Sequence, residues 1–176
     1  LAVSAYPVPV VSVVHSCVGT WWQAVQGDRA LPQDLAWRAD LVREGLERSD
    51  LVITPTRAFA RALRSCYDLA ALPRSVPNGR SRSPSPDRDI LHAALTAGRL
   101  WDAGKNVAAF DRASSLSRTP FLAAGPLEGP NGERAALSHA RSLGALPTSD
   151  LHELFAARPV FVSTSLYEPF GLAVLE

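Results

Sequence analysis

Glu168 and Glu176 stand eight residues apart in the run Phe161-Val-Ser-Thr-Ser-Leu-Tyr-Glu-Pro-Phe-Gly-Leu-Ala-Val-Leu-Glu176. A turn at Tyr167-Glu168-Pro169-Phe170-Gly171 leads there from a strand-like run into an amphipathic helical one. Pro169 suits the first helical position, where its missing N–H costs nothing. Phe170, Gly171 and Leu172 would then present backbone N–H groups at the positive end of the helix. Such an end is an anion site, and Gly171 lets a ligand come close. On a helix the two acids would lie roughly 12 Å apart. One carboxylate can meet a sugar and the other a ribose, with a phosphate near the helix start. The same spacing also suits an acidic helix entrance followed by a solvated Glu, and spacing alone does not choose.

The elements that must position these residues form an alternating pattern. Val8 to Val14 is a β-branched run, with Pro9 tolerable only near its start, that reads as a strand buried on both faces of a parallel sheet. A helical stripe over Ala36 to Arg48 follows, then a short strand, Leu51 to Thr54. Thr56 is the expected N-cap of a helix over Arg57 to Tyr67, with Phe59, Ala62, Leu63 and Cys66 on one face. Ser75 to Gly79 reads as a short strand running into a turn. Residues 80–90, rich in Ser, Pro and Arg, suit a linker or a surface loop, and the second alternating pattern beyond them favours the linker. That pattern predicts strands over Leu91 to Leu100, Pro120 to Ala124, Leu143 to Leu146 and Pro159 to Ser163. It predicts helices over Lys105 to Ser114, Glu133 to Ser142 and Leu151 to Ala157. Strand, helix, strand repeated on both sides of a linker predicts α/β architecture with two Rossmann-like parallel-sheet units.

The composition is globular, with 47% hydrophobic and 20% charged residues in 176. A net charge of +1 gives no electrostatic case for nucleic acid or an anionic membrane. No apolar run approaches the roughly 20 residues of a transmembrane segment. His15, His92, His139 and His152 are scattered, so the sequence offers no metal cluster. Cys17 and Cys66 are expected to be reduced thiols of a cytoplasmic protein. All basic residues but Lys105 are Arg, a pattern of GC-rich coding rather than of guanidinium chemistry. A chain without Met, ending inside a helical pattern, reads as an internal fragment.

Glu168-Pro-Phe-Gly-Leu-Ala-Val-Leu-Glu176 resembles the E-x7-E signature of glycosyltransferase family 4, retaining enzymes of the GT-B fold. The shared Phe-Gly between the acids makes the likeness specific. The resemblance implies that Glu168 contacts the donor sugar's hydroxyls, assisted by the backbone of Phe170 and Gly171. It also implies that Glu176 holds the nucleotide ribose. Gly98-Arg99-Leu100…Lys105-Asn106 is similar to the family's G-R-L…K-N segment, in which the Arg and Lys clamp the diphosphate. Cationic neutralisation of that kind lets such enzymes work without a metal ion; read without the family, the two cations are solvated helix-entry charge. His15, which closes the first strand, matches a family position facing donor sugar and acceptor, although alone it reads as a structural cap. Trp21-Trp22 suits helix packing better than sugar stacking. Val76-Pro77-Asn78-Gly79 is similar to the family's closing segment of the first domain, with Arg80 where an apolar or acidic residue is usual. The family's Gly-rich loop does not precede the first strand.

The implied organisation is residues 1–79 as the C-terminal part of an acceptor-side domain, 80–90 as linker, and 91–176 as the N-terminal part of the donor domain. Both domains would be incomplete. The implied function is sugar transfer from a nucleotide-diphosphate sugar to an unknown acceptor, with no cofactor. A non-catalytic nucleotide-sugar-binding or interaction module left by truncation is the alternative.

Overall fold

The computed structural model describes residues 6–81 and 88–176, so most of the expected linker falls outside the described residues. Contacts divide the chain into two units, Leu1–Gly79 and Arg80–Glu176.

The first unit contains β1 (Val11–Val13), α1 (Val18–Gln26), α2 (Gln33–Glu47), β2 (Leu51–Thr54), α3 (Arg57–Tyr67) and β3 (Arg74–Ser75). Its sheet has the order β1-β2-β3 with parallel pairing throughout, Val11 opposite Leu51 and Ile53 opposite Arg74. Thr56 caps α3 as its sequence predicts, its hydroxyl oxygen accepting the Phe59 N–H at 3.0 Å. The buried face of α3 is Phe59, Ala60, Leu63 and Tyr67, while Ala62 faces solvent.

The expectation that the Val8 to Val14 run is buried on both faces is corrected. Among the described residues β1 has a single neighbouring strand, and Val11 and Val13 remain 53% and 55% exposed. The Trp21 and Trp22 rings are tilted, 6.4 Å apart, and the Trp22 indole N–H donates to the Arg29 carbonyl at 2.7 Å.

The second unit contains β4 (Ala94–Ala97), a 3-10 turn (Ala103–Lys105), α4 (Val107–Ser114), β5 (Phe121–Ala124), β6 (Arg141–Gly144), α5 (Thr148–Ala156), β7 (Val160–Phe161) and α6 (Leu172–Leu175). The order is β6-β5-β4-β7, again all parallel. All four residues of β4 are buried. Their small side chains leave room for helices on both faces. On one face Ala94 and Ala123 pack with Val107 and Phe110 of α4. On the other Leu95, Ala97 and Ala124 pack with Leu151, Leu154 and Phe155 of α5.

The helix expected over Glu133 to Ser142 does not form; its end becomes β6. The buried carboxylate of Asp111 accepts the N–H groups of Ser138, His139 and Ala140 at 2.8–3.1 Å, which holds that stretch out of a helix. Burial alone would raise the Asp111 pKa, but those three donors and the nearby His139 outweigh it and hold the carboxyl below its ordinary range.

Candidate functional site

β4 ends at Ala97, and the segment from Gly98 onward is held largely by hydrogen bonds outside regular strands. Gly98 has a φ of +145° and Gly125, at the end of β5, a φ of +142°. A Cβ on Gly125 would stand 1.8 Å from the Gly98 carbonyl oxygen, so the two strand ends meet backbone to backbone. Asp102 then caps the 3-10 turn, its Oδ1 accepting the Gly104 N–H at 2.8 Å. Asn106, in the left-handed conformation with a φ of +49°, ends the turn and opens α4. This run sets Lys105 beside Gly98, whose missing side chain leaves the lysine stem 3.5 Å from the space a Cβ would take.

The segment after β7 docks onto this turn. Leu166 and Tyr167 donate their N–H groups to the Gly104 carbonyl at 2.8 and 3.2 Å. The Asn106 amide donates to the Thr164 carbonyl at 3.2 Å, and the Thr164 hydroxyl is shared between the carbonyls of Lys105 and Asn106. β4 and β7 are paired neighbours, so both loops leave the same, carboxyl edge of the sheet, where ligands of open parallel sheets gather. The docking delivers Glu168 to Lys105, and the ammonium donates to Glu168 Oε2. Glu168 Oε1 accepts the Gly171 N–H at 3.0 Å. Lys105, Glu168 and Gly171 line a cleft with Thr96, Ser163 and Ser165, and the free space inside is about 10 Å³.

The other expected site residues are placed differently. Arg99 does not line this cleft; its guanidinium donates to Asp102 Oδ2 at 3.1 Å and lies 5.7 Å from the Trp101 ring centre. Phe170 and Leu172 do not line it either, nor does Glu176, which is ion-paired with Arg80. His15 belongs to the first unit, where it follows β1 and is exposed. The helix expected from Pro169 is corrected: α6 starts at Leu172, because Gly171 takes a φ of +92° and breaks the helical path. The Gly171 N–H expected to face an anion is held by Glu168, and the two acids are not joined by continuous helix.

Asp102, Asn106 and Thr164 assemble the site, although the sequence gives none of them a site role. Asp102 had a signal, since Asp-Ala-Gly is an Asx-turn pattern. The partnership of Asn106 with Thr164, 58 residues away, had none. Among the described residues no group of three His, Cys, Asp or Glu side chains is placed to hold a metal ion, and no helix is long and apolar enough to cross a membrane.

The parallel α/β units define the chain as GT-B-like in fold. Among solved structures it is similar to the pneumococcal O-GlcNAc transferase GtfA in complex with UDP and GlcNAc, with a TM-score of 0.56 and 17% identity. The similarity covers 95% of this chain and 35% of that one, so the chain spans about a third of its neighbour. No protein-family model and no curated protein matches the sequence.

Proposed function

We propose that the second unit carries the donor half-site of a retaining glycosyltransferase similar to family 4, which takes a nucleotide-diphosphate sugar. In this reading the first unit is the C-terminal part of the acceptor-side domain, residues 80–90 are the linker, and 91–176 begin the donor domain. The observation that carries the reading is the docking of residues 164–168 onto 104–106. It brings the signature acid Glu168 to the basic residue Lys105 at the ligand-binding edge of a parallel sheet.

The transfer proposed is a front-face displacement. The bond from the anomeric carbon to the diphosphate oxygen breaks as an acceptor oxygen attacks the same face, and the acceptor's proton leaves with the diphosphate. Arg99 and Lys105 stabilise the charge that develops on that leaving group without a metal ion. Glu168 and Gly171 hold the sugar's hydroxyls, Gly98 keeps the approach open, and Glu176 holds the ribose. A cytoplasmic location completes the reading.

Calorimetric titration with uridine, adenosine and guanosine diphosphates, beside a donor-hydrolysis assay, tests the reading. Binding of at least one is expected, weakened about tenfold or more by Lys105→Ala. Absence of binding by all three overturns it. The alternative reading is a nucleotide-sugar-binding or interaction module without turnover. Binding without hydrolysis or transfer is its signature.

A further inference from the structure

We infer that Glu168 is an internal competitor of the diphosphate for Lys105, so that the site discriminates a nucleotide sugar from the nucleoside diphosphate left after transfer. The inference rests on the donor-site reading above. Both oxygens of Glu168 are committed in the structure, Oε2 to the Lys105 ammonium and Oε1 to the Gly171 N–H. The Lys105 and Glu168 side chains are only 21% and 32% exposed, so water screens their attraction incompletely. With the pair closed, the cleft's free space of about 10 Å³ is no more than a single water needs. A diphosphate that enters this cleft therefore competes with Glu168 for the donors of the Lys105 ammonium.

What becomes of the released carboxylate depends on the ligand. A nucleotide sugar brings hydroxyls that donate to Glu168 and replace the lost ammonium. A nucleoside diphosphate lacks that sugar, its ribose hydroxyls being assigned to Glu176, so Glu168 Oε2 is left without a donor beside phosphate charge, a costly arrangement. Arg99 is under no such constraint. Its side chain is 66% exposed and carries five donors, so it can hold Asp102 and still face a phosphate. The discriminating exchange is confined to Lys105 and Glu168. After transfer the same carboxylate returns to Lys105 and helps to expel the product.

Glu168→Gln tests this, because the amide oxygen keeps an acceptor for the Gly171 N–H while the charge is lost. Nucleoside diphosphate binding, measured by calorimetry on the whole chain, should tighten about threefold to tenfold in the variant. The matching nucleotide sugar should gain less or lose affinity. Affinity for the nucleoside diphosphate that is unchanged or weaker in Glu168→Gln overturns the inference while leaving the donor site standing. The same substitution made on Lys105→Ala should give a clearly smaller gain. An equal gain there means plain repulsion between Glu168 and phosphate, and also overturns the exchange. If neither the parent chain nor Glu168→Gln binds any nucleoside diphosphate, the donor-site reading falls as well.

Discussion

In the second unit β4 lies between β5 and β7 with all four residues buried, whereas β1 of the first unit has one neighbouring strand among the described residues and leaves Val11 and Val13 more than half exposed. By side-chain type the reverse would be expected. β1 is Val-Ser-Val, rich in strand formers, and β4 is Ala-Leu-Thr-Ala, which is poor in them. Neighbours on both sides and helices on both faces decide burial, and hydrophobicity of the strand itself does not. The proposed donor site stands at the carboxyl end of the buried strand.

The contrast can be broken from either side, and the largest effect is expected at Phe110. Its side chain is fully buried, with its ring centre 4.8 Å from that of Phe121. Phe110→Ala should cost about 3–5 kcal/mol in urea unfolding followed by circular dichroism. A cost below about 1 kcal/mol would mean that the second unit is not tightly packed.

Asp111→Ala comes next, at about 3 kcal/mol, because three backbone N–H groups lose their acceptor together. The carboxyl is held below its ordinary range in the folded chain, despite the burial that opposes this. Its contribution is therefore complete above the unfolded carboxyl's pKa, near 3.9, and is lost as pH falls through the folded value. Acid titration of stability should show the parent chain and Asp111→Asn converging below about pH 4.

In the first unit Thr56→Ala should cost about 1 kcal/mol, the usual worth of an N-cap, and Thr56→Ser should restore most of it. The smallest effect belongs to Val11→Ala, within about 0.5 kcal/mol. A Val11 cost near that of Phe110 would show that β1 is covered in solution by something that binds its exposed face.

Elements whose cause lies within a few residues were legible in the sequence. Thr56 and the helix after it, and the strand Leu51 to Thr54, stand where their local patterns put them. The pairing of Glu168 with the Gly98 to Asn106 segment could be proposed only through a family resemblance, since Lys105 and Glu168 are 63 residues apart. Features imposed by distant partners were not legible. Glu133 to Ser142 has helical periodicity, and only the Asp111 carboxylate, 27 to 29 residues away, overrides it. Pro169 has the ordinary signature of a helix start, but the positive φ of Gly171 postpones α6 by three residues. The exposure of Val11 depends on which strand lies beside it, which no local pattern states.

The meeting of Gly98 and Gly125 bears on how such a site tolerates sequence drift. Even the smallest side chain at 125 would wedge the two strand ends apart and carry the peptide leading to Arg99 and Lys105 with them. A saturation screen for nucleotide binding would then find position 125 as intolerant as a residue that touches the ligand. Its intolerance would report a spacing between two main chains, and a catalogue of essential positions would count a spacer among the chemical groups.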